Sequence, residues 1–201
     1  MKPKKDLFLS AIVGLISAFL IWPIMKNLPI PQISPLYIIV ALPVLCVIGM
    51  IAALTLGKVL RIIYQLAKFV LVGALNTFVD WGILNLLMFL ANVSQGPEYS
   101  VFKGCSFLVA TMNSYFWNKF WTFEKESQPA KKMTGKEMLQ FFIVSLIGFG
   151  LNVGAASLLV NVLGPQFGLD PKIWANVGAL SGTLAGLVWN FIGYKLIVFK
   201  S

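Results

Sequence analysis

The sequence predicts an all-α integral membrane protein of six transmembrane helices, the last four a parallel duplication of one helical hairpin. Three observations carry that prediction: an apolar composition, six long stretches nearly free of charge, and polar residues that recur in the same order in two C-terminal segments. Of 201 residues, 58% are hydrophobic and 11% charged, with a mean hydropathy of +0.84. Soluble domains carry about 25% charged residues, because water has to solvate their surface. This chain falls too far below that fraction to cover itself.

Length defines the spans. A helix crossing roughly 30 Å of hydrocarbon needs about 20 mainly apolar residues. Leu7 to Met25 meets this without a charge, and Leu36 to Leu56 follows, with Pro43 expected to kink it. The remaining spans are about Ala67 to Leu90, Val101 to Phe120, Leu139 to Leu163 and Ile173 to Val198. Turn-rich or charged connectors separate them: KNLPIPQISP, GKVLRIIYQ, NVSQGPEYS, EKESQPAKKMTGKE and GPQFGLDPK. The opening MKPKKDLFLSAIVGLISAFL is similar to the basic and apolar regions of a signal peptide. It lacks a clean small-x-small cleavage site and is long for one, so a retained helix is the better reading.

Charge orients the spans. Lys2, Lys4, Lys5, Lys58, Arg61, Lys68, Lys119, Lys125, Lys131, Lys132, Lys136, Lys195 and Lys200 fall on one side of this threading, and only Lys26, Lys103 and Lys172 on the other. Basic residues stay on the cytoplasmic side of short loops, so both termini are expected in the cytoplasm. The net charge of +9 and pI near 9.7 therefore reflect topology. A nucleic-acid surface would interleave exposed aromatics with its cations, so no nucleic acid is expected as a partner. The same lysines can meet anionic membrane lipids.

The last four spans read as two copies of a hairpin, about 67–123 and 139–199. FVLVGALNTFVDWG from Phe69 lies over FFIVSLIGFGLNVG from Phe141, pairing Asp80 with Asn152 and Gly82 with Gly154. Four positions out of that register, NSYFWNKFWTF lies over WNFIGYKLIVF, pairing Lys119 with Lys195. Both copies start from the same side, which makes the repeat parallel. Residues 1–62 form an added N-terminal hairpin and 63–201 a four-helix membrane domain.

Polar and small residues inside spans mark candidate sites. Gly73, Asn76, Thr77, Asp80 and Leu84 share one helical face. An acid near mid-membrane costs about 2.5–3.5 kcal/mol on insertion scales, so Asp80 is expected to face a bundle interior or a watery cavity. It either lines a polar path or fixes packing by a hydrogen bond, with Asn76 one turn away. Ser106, Ala110, Ser114 and Asn118 recur every fourth residue on the fourth helix beside Asn113, as do Gly178, Gly182, Gly186, Asn190 and Tyr194 on the sixth. Small residues at that spacing let helix backbones approach, so Gly73, Gly178, Gly182 and Gly186 are assigned to packing. Lys119 and Lys195 either anchor the interface by snorkelling or hold a phosphate, and Lys103 supplies a cation at the outer end.

Histidine is absent, and Cys46 and Cys105 sit in apolar stretches as small core residues. With no acid pair at membrane depth, no glycine-rich phosphate loop and no nucleophile beside a base, no enzyme, metal or cofactor is expected.

FVLVGALNTFVD, NSYFWNKFWTF, FFIVSLIGFGLN and WNFIGYKLIVF, in that order, resemble the GtrA-like family of small membrane proteins over about Phe69 to Phe199. The hairpin 1–62 departs from the family's four spans. The resemblance implies a role in cell-surface polysaccharide synthesis or glycosylation, by moving a polyprenyl-phosphate-linked sugar to the outer leaflet of the cytoplasmic membrane. Lys119, Lys195 or Lys103 would then meet the phosphate, and Asp80, Asn76, Asn113, Asn118, Asn152 and Asn190 the sugar. Two alternatives stay open: a non-catalytic anchor for a membrane glycosyltransferase, and a small-molecule exporter coupled through Asp80.

Overall fold

The computed structural model describes residues 2–28, 33–122 and 135–193. Those residues form six α-helices and no strand: α1 Pro3–Asn27, α2 Pro35–Leu56, α3 Arg61–Ala91, α4 Gly96–Trp117, α5 Gly135–Ser157 and α6 Pro171–Gly193. Short π-helical turns, Asn118–Thr122 and Leu158–Leu163, continue α4 and α5. Proline opens α1 and α2 at the first helical position, where a missing N–H costs nothing. Pro43 sits inside α2, which runs unbroken through it.

The helices outrun the apolar stretches. α3 starts at Arg61 rather than near Ala67, and α5 at Gly135 rather than Leu139. Hydropathy reports where hydrocarbon begins, whereas a helix extends for as long as each N–H gains its carbonyl. By length and composition α1, α2, Ile63–Ala91 and Ile143–Leu163 can cross a membrane. At 22 and 23 residues α4 and α6 are long enough, but Glu98, Lys103, Lys172 and the asparagines and glycines dilute their apolar character.

Contacts divide the chain into two compact units, 1–85 with 109–130, and 86–108 with 131–201. This division cuts through α3 and α4, whereas the sequence reading divides the chain after residue 62.

In the first unit, Gly14 brings the α1 backbone against that of Leu42 and Pro43 in α2. Gly82 of α3 does the same against Leu20 of α1. Asp6 lies beside Lys68, Leu20 beside Gly82 and Asn27 beside Asn85, so α1 and α3 run in the same direction. Asn76 meets Asn113 and Asp6 meets Trp121, so the second half of α4 runs against α3. Val13, Met50, Ala53, Val72, Leu75, Val79 and Ala110 fill the core between them. The outer side of α2, with Tyr37, Val44 and Ile48, is exposed and apolar, as a lipid-facing helix requires.

In the second unit, α5 and α6 pack along the row Gly178, Gly182 and Gly186. A Cβ at Gly178 would strike Val160, and one at Gly182 the backbone oxygen of Asn152. One at Gly186 would stand 3.3 Å from the Asn152 amide nitrogen. Tyr99 Oη of α4 donates to the Ala175 oxygen at 2.9 Å, and Trp189 Nε1 to the Val144 oxygen at 2.9 Å. The π-helical turn offers the Leu159 oxygen to two donors, Gly164 N–H at 3.1 Å and Trp174 Nε1 at 2.8 Å. Gly164, at φ 67°, ends the helix there in a conformation that glycine adopts without strain.

Gly73 differs from the α6 row, because it is exposed and an added Cβ would meet nothing within 4 Å. Replacement of Gly182 by alanine is expected to lower the unfolding midpoint in detergent, by an overpacking cost of about 1–3 kcal/mol. Gly73→Ala is expected to leave that midpoint unchanged or raise it, since alanine favours helix by about 1 kcal/mol over glycine. Thermal unfolding of both variants checks the pair.

Candidate functional site

Two polar clusters in the first unit, and two buried polar residues in the second, bear on function. The first is an anion held by three donors. Asp6, in the first turn of α1, is 1% exposed. Its Oδ1 accepts from Lys68 Nζ at 2.8 Å and from Trp121 Nε1 at 2.9 Å, and its Oδ2 accepts from Tyr64 Oη at 2.5 Å. Tyr64 and Lys68 are four residues apart on α3, which places them on one face. The π-helical turn Asn118–Thr122 carries Trp121 to the same point, stacked edge-on against Trp117 at 5.6 Å. Lys68 Nζ lies 4.2 Å from the Tyr64 ring centroid and 5.8 Å from that of Trp121. Two aromatic faces and a carboxylate thus surround a lysine that is itself buried.

Deeper along α3, Asn113 Nδ2 donates to Asn76 Oδ1 at 2.6 Å. Asp80 follows one turn later and is 5% exposed. Thr77 turns its hydroxyl back to the Gly73 oxygen at 3.2 Å. Two of the amides that the sequence singles out are therefore directly bonded, on the face that also carries the intramembrane acid. Chemically this face offers amide and carboxylate groups, suited to hydrogen-bonding a hydroxyl-rich solute.

In the second unit, Lys103 is fully buried on α4, where it was expected as a cation at the outer end. Asn152 is 3% exposed, lies against Gly182 and Gly186, and its Oδ1 has no hydrogen-bond partner among the described residues. Gly178, Gly182 and Gly186 make room for that side chain and for Val160. A cavity of about 390 Å³ opens among Asn92, Gln95, Asp170 and Lys172, and none of the residues singled out from the sequence as a binding site lines it. Among the described residues, no three His, Cys, Asp or Glu side chains lie close enough to hold a metal ion.

The side chains of Asn118, Lys119 and Asn190 and the whole of Lys195 lie outside the described residues, so the phosphate grip expected of the two lysines has no geometry here. Cys105, read as a core residue, is exposed on α4, while Cys46 is half-buried. Sequence reasoning missed Asp6, Tyr64 and Trp121. A signal existed: Asp6 is the one acid in the basic N-terminal run, and Lys68 the one cation inside an apolar helix expected to start on the same side. Opposite charges at equal depth on neighbouring spans are natural partners.

Residues 68–199 match the GtrA/DPMS transmembrane domain family. The chain is 31% identical over 137 residues to the uncharacterized membrane protein YngA of Bacillus subtilis (strain 168), covering 68% of this chain and 80% of that one. It is 21% identical over 132 residues to the uncharacterized membrane protein YwcD of the same organism, covering 66% and 94%. No solved structure matches it. With two thirds of its length inside the family's boundaries and apolar helices long enough to span, this chain is a membrane protein that belongs to the GtrA/DPMS transmembrane domain family.

Proposed function

We propose that this chain moves a polyprenyl-phosphate-linked sugar from the cytoplasmic to the outer leaflet of the cytoplasmic membrane, without catalysing a covalent step. In this reading six helices cross the bilayer with both termini in the cytoplasm, and the last four form a parallel pair of hairpins. The observation that carries the reading is the bonded pair Asn76–Asn113 beside buried Asp80, within a membrane domain of this family. Polar groups at such depth are costly and persist where a polar solute or a partner helix uses them. A sugar brings several hydroxyls, each needing a donor or acceptor once it leaves water. Asn76, Asp80 and Asn113 offer these on one face, with Asn118, Asn152 and Asn190 assigned to the same role.

The phosphate carries charge across the same distance and needs cations near both surfaces. Lys119 and Lys195 take that role on the cytoplasmic side and Lys103 on the outer side. The polyprenyl chain stays in lipid throughout, so the protein has only the head to shelter. A membrane glycosyltransferase that supplies or consumes the lipid-linked sugar is the partner this reading implies.

Vesicles containing the purified protein and undecaprenyl-phosphate-glucose are expected to expose the lipid on the far leaflet faster than empty vesicles do. Asp80→Asn is expected to slow that movement about tenfold, the loss of roughly 1.4 kcal/mol of hydrogen bonding to the solute. Asn113→Leu is expected to slow it less, as interhelical hydrogen bonds within membranes average about 0.6 kcal/mol. A leaflet-resolved assay in which both variants match the wild type, with normal insertion, rejects the site. Topology has its own check in a chain lacking Cys46 and Cys105. A cysteine at Gln95 is expected to react with an impermeant maleimide in intact cells, and one at Lys131 only after permeabilisation.

A further inference from the structure

The cluster around Asp6 is more than a staple between helices. All three donors belong to α3 and the π-helical turn after α4, whereas the anion alone comes from α1. The family's boundaries start at residue 68, so the cation lies inside the family domain and the carboxylate in the added hairpin. Remove α1 and a lysine, a phenol and an indole N–H still point at one spot, spaced for the two oxygens of an anion. Phosphate oxygens make the same charge-assisted bonds as carboxylate oxygens.

Depth favours a lipid phosphate. Asp6 and Asn27 are separated by about 32 Å along α1, close to the roughly 30 Å of a hydrocarbon core. Asn27 is itself bonded across to Asn85, with its Nδ2 2.9 Å from the backbone oxygen. Polar clamps that far apart sit at the two headgroup levels, which places Lys68 where phosphates lie. Lys2, Lys4 and Lys5 are exposed at the start of α1, within four residues of Asp6, and draw anionic lipid towards it. Thr122, next to Trp121, is 4% exposed, and its hydroxyl has no hydrogen-bond partner among the described residues.

We infer that Lys68, Tyr64 Oη and Trp121 Nε1 form a binding site for the phosphate of a lipid headgroup, and that Asp6 fills this site as an internal counter-ion until the lipid displaces it. The site is where a phosphate lipid is first held, and α1 makes its occupancy competitive. Its identification with the transported lipid rests on the function proposed above; the site itself does not.

An internal competitor lowers apparent affinity by the fraction of time it occupies the site. In phosphatidylcholine nanodiscs, Asp6→Asn is therefore expected to bind undecaprenyl phosphate about tenfold more tightly than the wild type, with undecaprenol unaffected. Adding Lys68→Gln is expected to abolish the gain. An affinity that Asp6→Asn leaves unchanged or weakens, or a gain that survives Lys68→Gln, overturns the inference and leaves a structural ion pair. Phosphatidic acid showing the same gain upholds a site for phosphate headgroups in general. Inorganic phosphate alone reproducing it overturns the lipid assignment. Because Asp6→Asn can fail to fold, the wild type supplies a second measurement. Amide exchange over residues 3–10 is expected to rise with undecaprenyl phosphate and not with undecaprenol, and no rise overturns displacement. Should the binding pattern hold while wild-type vesicles fail to move the lipid-linked sugar, the transport proposal falls and this site stands. Movement with a flat binding pattern does the reverse.

Discussion

The first unit depends on one constraint: a charge packed out of reach of water has to be met by an opposite charge and by hydrogen-bond donors. Asp6 and Lys68 meet that constraint together. Either alone would be a buried charge without compensation, and breaking such a pair is far more costly than its net contribution suggests. Tyr64 and Trp121 complete the coordination of the carboxylate, so two helices and a π-helical turn are committed to one spot. The Asn27–Asn85 bond repeats the logic at the opposite end of α1. Between those ends contact is made by small residues, Gly14 against α2 and Gly82 against α1.

Much of this was legible in the sequence. The apolar runs Leu7–Met25 and Leu36–Leu56 lie inside α1 and α2, because hydropathy over that length admits few other structures. The four-residue row Gly178, Gly182 and Gly186 marks the side of α6 that meets α5, since only close backbone approach requires glycine at that spacing. Asn76 and Asn113 were each singled out, but separately, and nothing in either segment states that they bond to each other. Asp6 escaped notice for a related reason. Its partners are 58 and more residues away, and the positive-inside bias by itself accounts for Lys68. Trp121, at the end of an apolar span, carries no sequence mark of its burial, yet it is 1% exposed. Composition tells how many polar groups a span carries; only tertiary structure tells which of them meet.

The π-helical turns explain part of what hydropathy leaves out. Each widens the end of an α-helix by an extra residue per turn, which redirects the side chains that follow and loosens one carbonyl. After α4 that redirection brings Trp121 to Asp6. After α5 it leaves the Leu159 oxygen to accept from both Gly164 and Trp174. No residue type announces such a turn, so the fourth span reads from sequence as one uninterrupted helix to Phe120.

Pinning α1 to α3 at both ends has a mechanical side. A single helix longer than the hydrocarbon is thick adjusts by leaning over, at a cost of fractions of a kcal/mol per ångström of mismatch. α1 cannot lean by itself: the Asp6 and Asn27 clamps make it tilt as one rod with α3 or pull a clamp apart. Acyl-chain length thereby becomes a force on the Asp6–Lys68 contact, and membrane thickness a quantity to which this part of the molecule responds.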